Sequence, residues 1–483
     1  MYSNRVVYDE TLLPKKSTNG RYVRWQATSG DTPSTGTPVP IVQTIQFNNI
    51  QATSRKNIIK DIRFNGTLIV KYTTASADDT TLELIADINR FIDINCTING
   101  TCNYITNGFV VEPVFKSYID EEVIDQDLQS YYQPVDTYGK PATLTDEDTT
   151  NHSFKINFSV KLMHPFLFTD LGGLNALNIV ITTNPGLLGL FKITATKTIS
   201  ACAGWITNAS ITYVEYEGAS ETFIKKVGYM VQYYNTVSSP NDQTKHATAE
   251  ANTRNVSGAP LNVYQFVGIN GSAISSYDAT RVLRKPLPIT TLTASINNNV
   301  NAYNAVGTHE MYGRSRELGY QGQLSDFTSS YIGDKTTKNE MGCVVKISNR
   351  MLPININTGE IYRYSAQVEF IDESYGVNYD AQYLYLMTVY EYPALLYLSP
   401  EKNTCEYIVN QPVETVGDYI EDDLYNGSGF FDFIKKGFNW LKDKKIISNG
   451  ARILSSVLPG KAGGIASVVG NVADTLGMST SVF

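Results

Sequence analysis

The sequence has few charged residues and few cysteines. Charged side chains make up 18% of the 483 residues, below the roughly 25% that is typical of soluble proteins. The five cysteines are odd in number and sparse, which argues against a disulfide framework. Only Cys96 and Cys102 lie close together, and they lack the second pair or the histidines of a zinc site. We therefore expect reduced thiols, no metal and no cofactor.

The sequence also lacks long apolar runs. Its first ten residues, MYSNRVVYDE, contain no apolar core of a secretory signal. No run reaches the roughly 18 consecutive apolar residues that a membrane-spanning helix needs. We expect a protein that is made inside a cell and is not secreted by a signal peptide.

Catalytic motifs are absent as well. The sequence contains no G-x-S-x-G, no G-x-x-x-x-G-K-[ST] and no H-E-x-x-H. His164 lies in an apolar, turn-rich stretch, which favours a structural role. Acidic residues cluster from Asp120 to Asp127, where they could supply paired carboxylates or cation ligands. Because the turn glycine and alternating spacing of a calcium loop are missing, we interpret the cluster as a solvated helix face. We expect no enzymatic activity.

Alternating apolar residues are the main positive signal. In SFKINFSVKL, from Ser153 to Leu162, every second side chain is apolar and the others are polar. The same alternation returns in YRYSAQVEF, from Tyr362 to Phe370. Such a period of two predicts strands with one buried and one wet face. The stretch QYLYLMTVY, which follows Ala381, is almost continuously apolar and predicts a central, buried strand.

Length and composition predict two β-sandwich domains. Segments rich in Gly, Asn, Asp and Pro predict long loops at 136–151, 238–259 and 298–338, and the best helical pattern lies around 120–132. The predicted order is an N-terminal arm (1–39), a first sandwich (40–218), a second sandwich (219–412), an acidic linker (413–428) and a tail (429–483).

The charge is unevenly distributed. Residues 428–483 contain seven Lys or Arg and three Asp, which gives them a net charge of +4. Because the whole chain has a net charge of −8, residues 1–427 have a net charge of −12. Binding to nucleic acid through phosphates requires clustered Lys and Arg. We therefore expect no strong direct binding of nucleic acid.

The tail begins with a basic amphipathic helix, GFFDFIKKGFNWLKDKK. At 100° per residue the apolar and basic side chains fall on different halves. Such a helix is typical of interfacial membrane binders, although docking on the protein itself is the alternative. The candidate site residues are an apolar face of Phe430, Phe433, Ile434, Phe438, Trp440 and Leu441, and a basic face of Lys435, Lys436 and Lys442.

Two successive sandwich domains, an arm, long loops and no catalytic motif together resemble the double jelly-roll major capsid proteins of small eukaryotic DNA viruses, of the virophage and polinton-like type. The resemblance is one of architecture over residues 40–412. The tail resembles the membrane-lytic peptides of non-enveloped viruses, although double jelly-roll shell proteins do not ordinarily carry such a tail.

The resemblance implies an all-β fold of two jelly rolls with a helical tail. It implies homotrimers that form pseudo-hexagonal capsomers of an icosahedral shell. Its partners would be other copies of the chain, minor capsid proteins and, through the tail, a host membrane. Its location would be the virion. The alternatives are a β-sandwich adhesin or carbohydrate-binding protein, and a carbohydrate-active enzyme with paired carboxylates.

Overall fold

The computed structural model describes residues 20–30, 42–55, 57–84, 87–118, 131–134, 143–167, 171–183, 190–194, 197, 199–217, 223–236, 246–257, 260, 262–269, 286–296, 299–328, 342–348, 361–371, 384–399 and 404–409. Over this part of the chain the secondary structure is mainly antiparallel strands. The predicted linker and tail helix, residues 413–483, lie outside the described residues, as do Asp120 to Asp127.

The first half of the chain forms two sheets. The first large sheet has the strand order β1-β11-β3-β7-β6, with β8 and β10 also paired to β3, and the first small sheet has the order β2-β9-β4-β5. The strands are β1 (Arg21–Gln26), β2 (Thr44–Ile50), β3 (Ile58–Leu84), β4 (Ile92–Ile98), β5 (Cys102–Asn107), β6 (Tyr131–Pro134), β7 (Thr143–Lys161), β8 (Leu171–Gly172), β9 (Leu177–Thr183), β10 (Phe191–Thr194) and β11 (Ile199–Tyr216).

The second half forms two further sheets. The second large sheet has the order β12-β19-β14-β17, with β20 also paired to β19, and the second small sheet has the order β13-β18-β15-β16. The strands are β12 (Phe223–Thr236), β13 (His246–Ser257), β14 (Asn262–Ile269), β15 (Ile289–Ile296), β16 (Asn299–Val306), β17 (Val345–Ser348), β18 (Ile361–Ile371), β19 (Leu384–Ser399) and β20 (Thr404–Val409).

Helices are few in the described residues. A 3-10 helix (Ile88–Phe91) precedes β4, and α1 (Gly108–Tyr118) follows β5. In the second half, α2 (Thr308–Glu317) and α3 (Leu324–Thr328) follow β16. These helices cover sheet ends, and α1 connects the two halves of the molecule.

The alternating pattern correctly predicted the faces of the strands. In β7, Phe154 and Phe158 are buried while Lys155 and Asn157 are exposed. In β18, Tyr364 and Val368 are buried while Arg363 is exposed. The apolar β19 lies between β12 and β14, as expected for a central strand.

The two sheets of each half pack face to face. In the first half, the ring of Phe47 on β2 meets the ring of Phe64 on β3 edge-on, with 6.1 Å between centroids. In the second half, Tyr364 on β18 meets Tyr390 on β19 in the same way at 5.3 Å. These aromatic contacts close two sandwiches, and the predicted all-β architecture of two tandem sandwiches is confirmed.

Several local predictions were wrong. The segments predicted as loops at 238–259 and 298–338 contain β13, β16, α2 and α3, because strand-forming residues are interspersed there with Asn and Thr. The segment predicted to be helical, 120–132, lies outside the described residues except for its last two, which belong to strand β6. The neighbouring helix α1 was missed. Helix α1 contains Pro113 and is buried on nearly all sides, so it has no amphipathic period to detect. Part of the segment predicted as an arm is strand β1, which pairs with β11.

Replacing Phe64 by alanine should destabilise the first sandwich. Phe64 is fully buried and also contacts Phe158, with ring centroids 5.1 Å apart. Removal of such a ring leaves a cavity and costs about 3–5 kcal/mol. Denaturant unfolding should report this loss. Ile105→Ala is the control, because Ile105 is 61% exposed and its truncation should change stability by less than about 0.5 kcal/mol. Equal effects of the two substitutions would contradict the described core.

Candidate functional site

The site residues predicted from the sequence lie outside the described part of the chain. These are the apolar face (Phe430, Phe433, Ile434, Phe438, Trp440, Leu441) and the basic face (Lys435, Lys436, Lys442) of the predicted tail helix. Their role therefore stays a prediction.

His164 has the structural role that the sequence indicated. Its side chain is fully buried. Nδ1 accepts a hydrogen bond from the Phe166 backbone N–H at 3.1 Å, so the proton lies on Nε2, which donates to the Tyr104 carbonyl at 3.1 Å. Both ring nitrogens are therefore used to hold a turn against a strand.

The described residues contain no group of three or more His, Cys, Asp or Glu side chains that could hold a metal ion. Cys96, Cys102 and Cys343 are buried thiols. In the same part of the chain no helix has the length and apolarity needed to cross a bilayer.

The contact between the two sandwiches is made by the last turn of helix α1. Tyr118 is fully buried, and its hydroxyl donates to the Val344 carbonyl beside β17 at 2.7 Å. Its ring packs on Tyr264 of β14 and on Tyr320, with centroids 5.2 Å and 5.8 Å apart. Burial raises the pKa of the Tyr118 hydroxyl well above its ordinary value, so the group remains a neutral donor.

The segment after α2 completes this junction. The backbone N–H of Gln321 donates to the Ser117 carbonyl at the end of α1, at 2.8 Å. The Tyr320 hydroxyl donates to the Gly342 carbonyl at 3.0 Å. We call Tyr118, Tyr264, Tyr320 and Lys346 the junction cluster, in which the Lys346 ammonium donates to the Leu318 carbonyl at 3.1 Å and lies over the rings of Tyr118 and Tyr264.

A buried carboxylate lies on each side of the junction. In the second sandwich, Glu391 accepts hydrogen bonds from the Asn262 amide at 2.8 Å and the Tyr264 hydroxyl at 2.6 Å. Burial alone raises the pKa of Glu391, but the charge of Lys346 and these two hydrogen bonds help to hold it below its ordinary value. Glu391 therefore stays ionised and orients the Tyr264 ring against Tyr118.

In the first sandwich the buried carboxylate is Glu112 in helix α1. Its Oε1 contacts the Lys116 ammonium at 2.7 Å and its Oε2 contacts Arg90 Nε at 3.2 Å. Burial raises the pKa of Glu112, but the charges of Lys116 and Arg90 and the hydrogen bond from Lys116 outweigh it, so the pKa lies below its ordinary value. The pair with Arg90 fastens α1 to the 3-10 helix before β4, and the pair with Lys116 lies within α1.

The contacts that join the two sandwiches are the Tyr118 hydrogen bond to Val344, the Gln321 hydrogen bond to Ser117 and the packing of the Tyr118 ring on Tyr264. Sequence reasoning missed it, because its members are up to 301 positions apart, from Arg90 to Glu391. One local signal existed: Glu112 and Lys116 are four residues apart within the otherwise apolar GFVVEPVFKSY.

Glu112→Gln should lower the free energy of unfolding at neutral pH, and it should make that free energy less dependent on pH in the acid range. The folded-state pKa of Glu112 is depressed, so its contribution is complete above about pH 4.5 and is lost as the pH falls through the folded-state value. At pH 7 the variant leaves Arg90 without its charge partner and should lose about 3 kcal/mol. Thermal unfolding between pH 3 and 7 measures this difference, which should shrink at the acid end.

Glu310→Gln is the matched control. Like Glu112 with Lys116, Glu310 pairs with a cation four residues along its helix, Arg314, but this pair is largely exposed. Its loss should cost less than about 0.5 kcal/mol. If Glu112→Gln and Glu310→Gln lose the same stability at every pH, the role of the buried ion pairs is contradicted.

The described architecture has counterparts among solved structures. A chain in the cryo-electron-microscopy structure of the Sputnik virophage superposes with a TM-score of 0.60 and 13% identity, covering 85% of this chain and 91% of that chain. The mavirus major capsid protein superposes with a TM-score of 0.56 and 12% identity, covering 82% and 92% respectively. No family model and no curated protein sequence match the chain. The predicted double jelly-roll fold is thereby confirmed.

Proposed function

We propose that this double jelly-roll chain is a major capsid protein, three copies of which form a pseudo-hexagonal capsomer of an icosahedral virion shell. The observation that carries the proposal is the rigid pairing of two jelly rolls in one chain. Three such chains present six similar sandwiches around one axis, which is the geometry needed to tile a shell with hexagonal units. The likeness to the mavirus major capsid protein over 82% of the chain supports the same role.

The composition of the chain and its exposed apolar residues support assembly with copies of itself. Interfaces between proteins are enriched in aromatic residues and depleted in Lys and Glu, and this chain has 32 tyrosines and 18% charged residues. Large apolar side chains are exposed at outer strands of three sheets, namely Tyr22 on β1, Ile105 on β5 and Val306 on β16. Contacts between neighbouring sandwiches would cover such residues.

The purified chain should be a homotrimer. Obligate interfaces commonly bury more than about 2,000 Å² and resemble a core cut in two. Light scattering should therefore report three times the chain mass of 53.5 kDa, and negative-stain microscopy should reveal hexagonal particles or closed shells. A monomer that persists across protein concentration and salt would refute the capsid proposal.

We further propose that the tail lies on the inner side of the shell and acts on a host membrane during entry. The support is the separation of its apolar and basic residues in the sequence. Burial of three or four of the apolar side chains in a bilayer interface would contribute about 5–10 kcal/mol before ordering costs. The lysines would add attraction to anionic lipid. Minor capsid proteins would be further partners of the inner surface.

A synthetic peptide of residues 429–483 should release dye from vesicles that contain anionic lipid. Phe438→Asp together with Leu441→Asp should abolish release, because both charges fall on the apolar face. The matched control is Asn439→Asp with Asn449→Asp, which adds the same charge away from that face and should retain release. Intact vesicles with the wild-type peptide, combined with failed assembly of a chain without residues 429–483, would make the tail an internal strut only.

A further inference from the structure

The outer side of the second large sheet carries three polar side chains that are buried side by side. They are Asn262 on β14, Lys346 on β17 and Glu391 on β19, and their exposed fractions are 4%, 4% and 2%. Tyr390, the neighbour of Glu391, points to the opposite side of the sheet, into the core of the second sandwich. The three polar groups therefore lie outside that core, on the side where the ring of Tyr118 packs against the sheet.

The strand register places the three groups next to one another. Strand β14 lies between β17 and β19. Lys346 is opposite Tyr264 on one side of β14, and Glu391 is opposite Asn262 on the other side. Because Asn262 and Tyr264 are two residues apart, their side chains share one face of the strand. Lys346 is thus a diagonal neighbour of Asn262, at roughly 7–8 Å between the two positions, a gap that the flexible four-carbon stem of a lysine can span.

Glu391 contacts the Asn262 side chain at its amide nitrogen. Asn262 Nδ2 donates to Glu391 Oε2 at 2.8 Å, and the Tyr264 hydroxyl donates to the same oxygen at 2.6 Å. Burial raises the pKa of Glu391, but the charge of Lys346 and these hydrogen bonds help to hold it below its ordinary value. Glu391 is therefore an ionised carboxylate, which can accept a proton from an amine and pass it to the amide nitrogen.

The amine of Lys346 is held beside the same tyrosine ring. Its ammonium lies 5.9 Å from the centre of the Tyr264 ring and 5.4 Å from that of Tyr118. It also donates to the Leu318 carbonyl at 3.1 Å. Approach to the Asn262 amide requires the side chain to rotate away from Leu318, which its single bonds allow. The rings and the low exposure keep water from competing for the amide carbon.

We propose that Lys346 and Asn262 form an isopeptide bond within the chain and that Glu391 moves the protons. The bond between Lys346 Nζ and Asn262 Cγ forms, and the bond between Cγ and Nδ2 breaks, so the chain loses one ammonia. Glu391 accepts a proton from the Lys346 ammonium, which leaves a neutral nucleophile. It passes this proton and then the second one to Nδ2, which departs as NH₄⁺, and it ends as a carboxylate. The reaction balances without an oxidant or a co-reactant.

Proximity accounts for the reactivity of an otherwise inert amide. Reacting groups that are held in place can behave as if one of them were present at up to about 10⁸ M. The bond would tie β14 to β17, and β17 directly follows Val344, whose carbonyl accepts the hydrogen bond from Tyr118. The contact between the sandwiches would then be anchored on two covalently joined strands. The inference goes beyond the proposed capsid function and holds for a single chain.

The mass of the denatured full-length chain tests the proposal. After incubation at neutral pH the wild-type chain should be lighter than its sequence by one ammonia. Tryptic digestion should yield a branched peptide that joins the segment with Asn262 to the segment with Lys346, and cleavage after Lys346 should be lost. A chain that keeps the full mass of its sequence would overturn the proposal.

Two variants separate the roles of the amine and the carboxylate. Lys346→Arg keeps a cation that can donate to the Leu318 carbonyl but removes the amine, so this variant should keep the full mass of its sequence. Glu391→Gln cannot accept a proton, so it should form the bond at least about 100-fold more slowly than the wild type. Circular dichroism checks that each variant is folded. Bond formation at the wild-type rate in Glu391→Gln would overturn the role of Glu391.

Glu112→Gln is the matched control, because it removes a buried carboxylate from the first sandwich and should leave the loss of ammonia intact. Cyclisation of an asparagine that precedes glycine, as in Asn99 and Gly100, releases ammonia as well. That reaction leaves a linear peptide, whereas the isopeptide bond leaves a branched one. A loss confined to linear peptides in the wild type, or an equal loss in Lys346→Arg, would overturn the proposal.

Discussion

The contact of Tyr118 with the second sandwich is the interaction on which the rest of the structure depends. Two sandwiches joined only by chain connections would move independently, because interfaces between domains in one chain are usually modest. Here a buried hydroxyl, a backbone hydrogen bond from Gln321 and the Lys346 ammonium all converge on the end of α1. The hydrophobic core accordingly runs through both halves as one cluster, and the molecule can serve as a single rigid unit.

The scarcity of charge makes the position of each charged group informative. Glu112 and Glu391 are buried, and each is held ionised by cations or hydrogen-bond donors that fasten the junction. Such groups are costly to leave unpaired, so Glu112 fixes helix α1 within the first sandwich and Glu391 fixes Tyr264 within the second. The exposed Lys71 on the first large sheet differs from these buried groups. Its ammonium lies 5.5 Å from the centre of the Trp205 ring, and such a contact at an exposed site contributes only about 0.5–1 kcal/mol.

Much of the fold could be predicted because strand faces are a local property. The alternation of Phe154 and Phe158 with Lys155 and Asn157 specified which side of β7 is buried before any partner strand was known. Helix α1 could not be predicted in that way. It contains Pro113 and is buried on nearly all sides, so its sequence lacks the alternation of apolar and polar faces that marks an amphipathic helix. The placement of several cations on the outer side of the first large sheet was missed for another reason. Arg24, Lys71 and Lys155 are far apart in the chain, and only the pairing of β1, β11, β3 and β7 brings them to one surface.

The sequence by itself determined the class of structure, because the period of two and the low charge act over a few neighbouring residues. It also determined the overall excess of acidic residues. Only the tertiary structure decided how the halves are joined and where the charges gather. Both depend on long-range strand register, since a shift of one residue along β3 would turn Lys71 into the core and Tyr72 out to solvent.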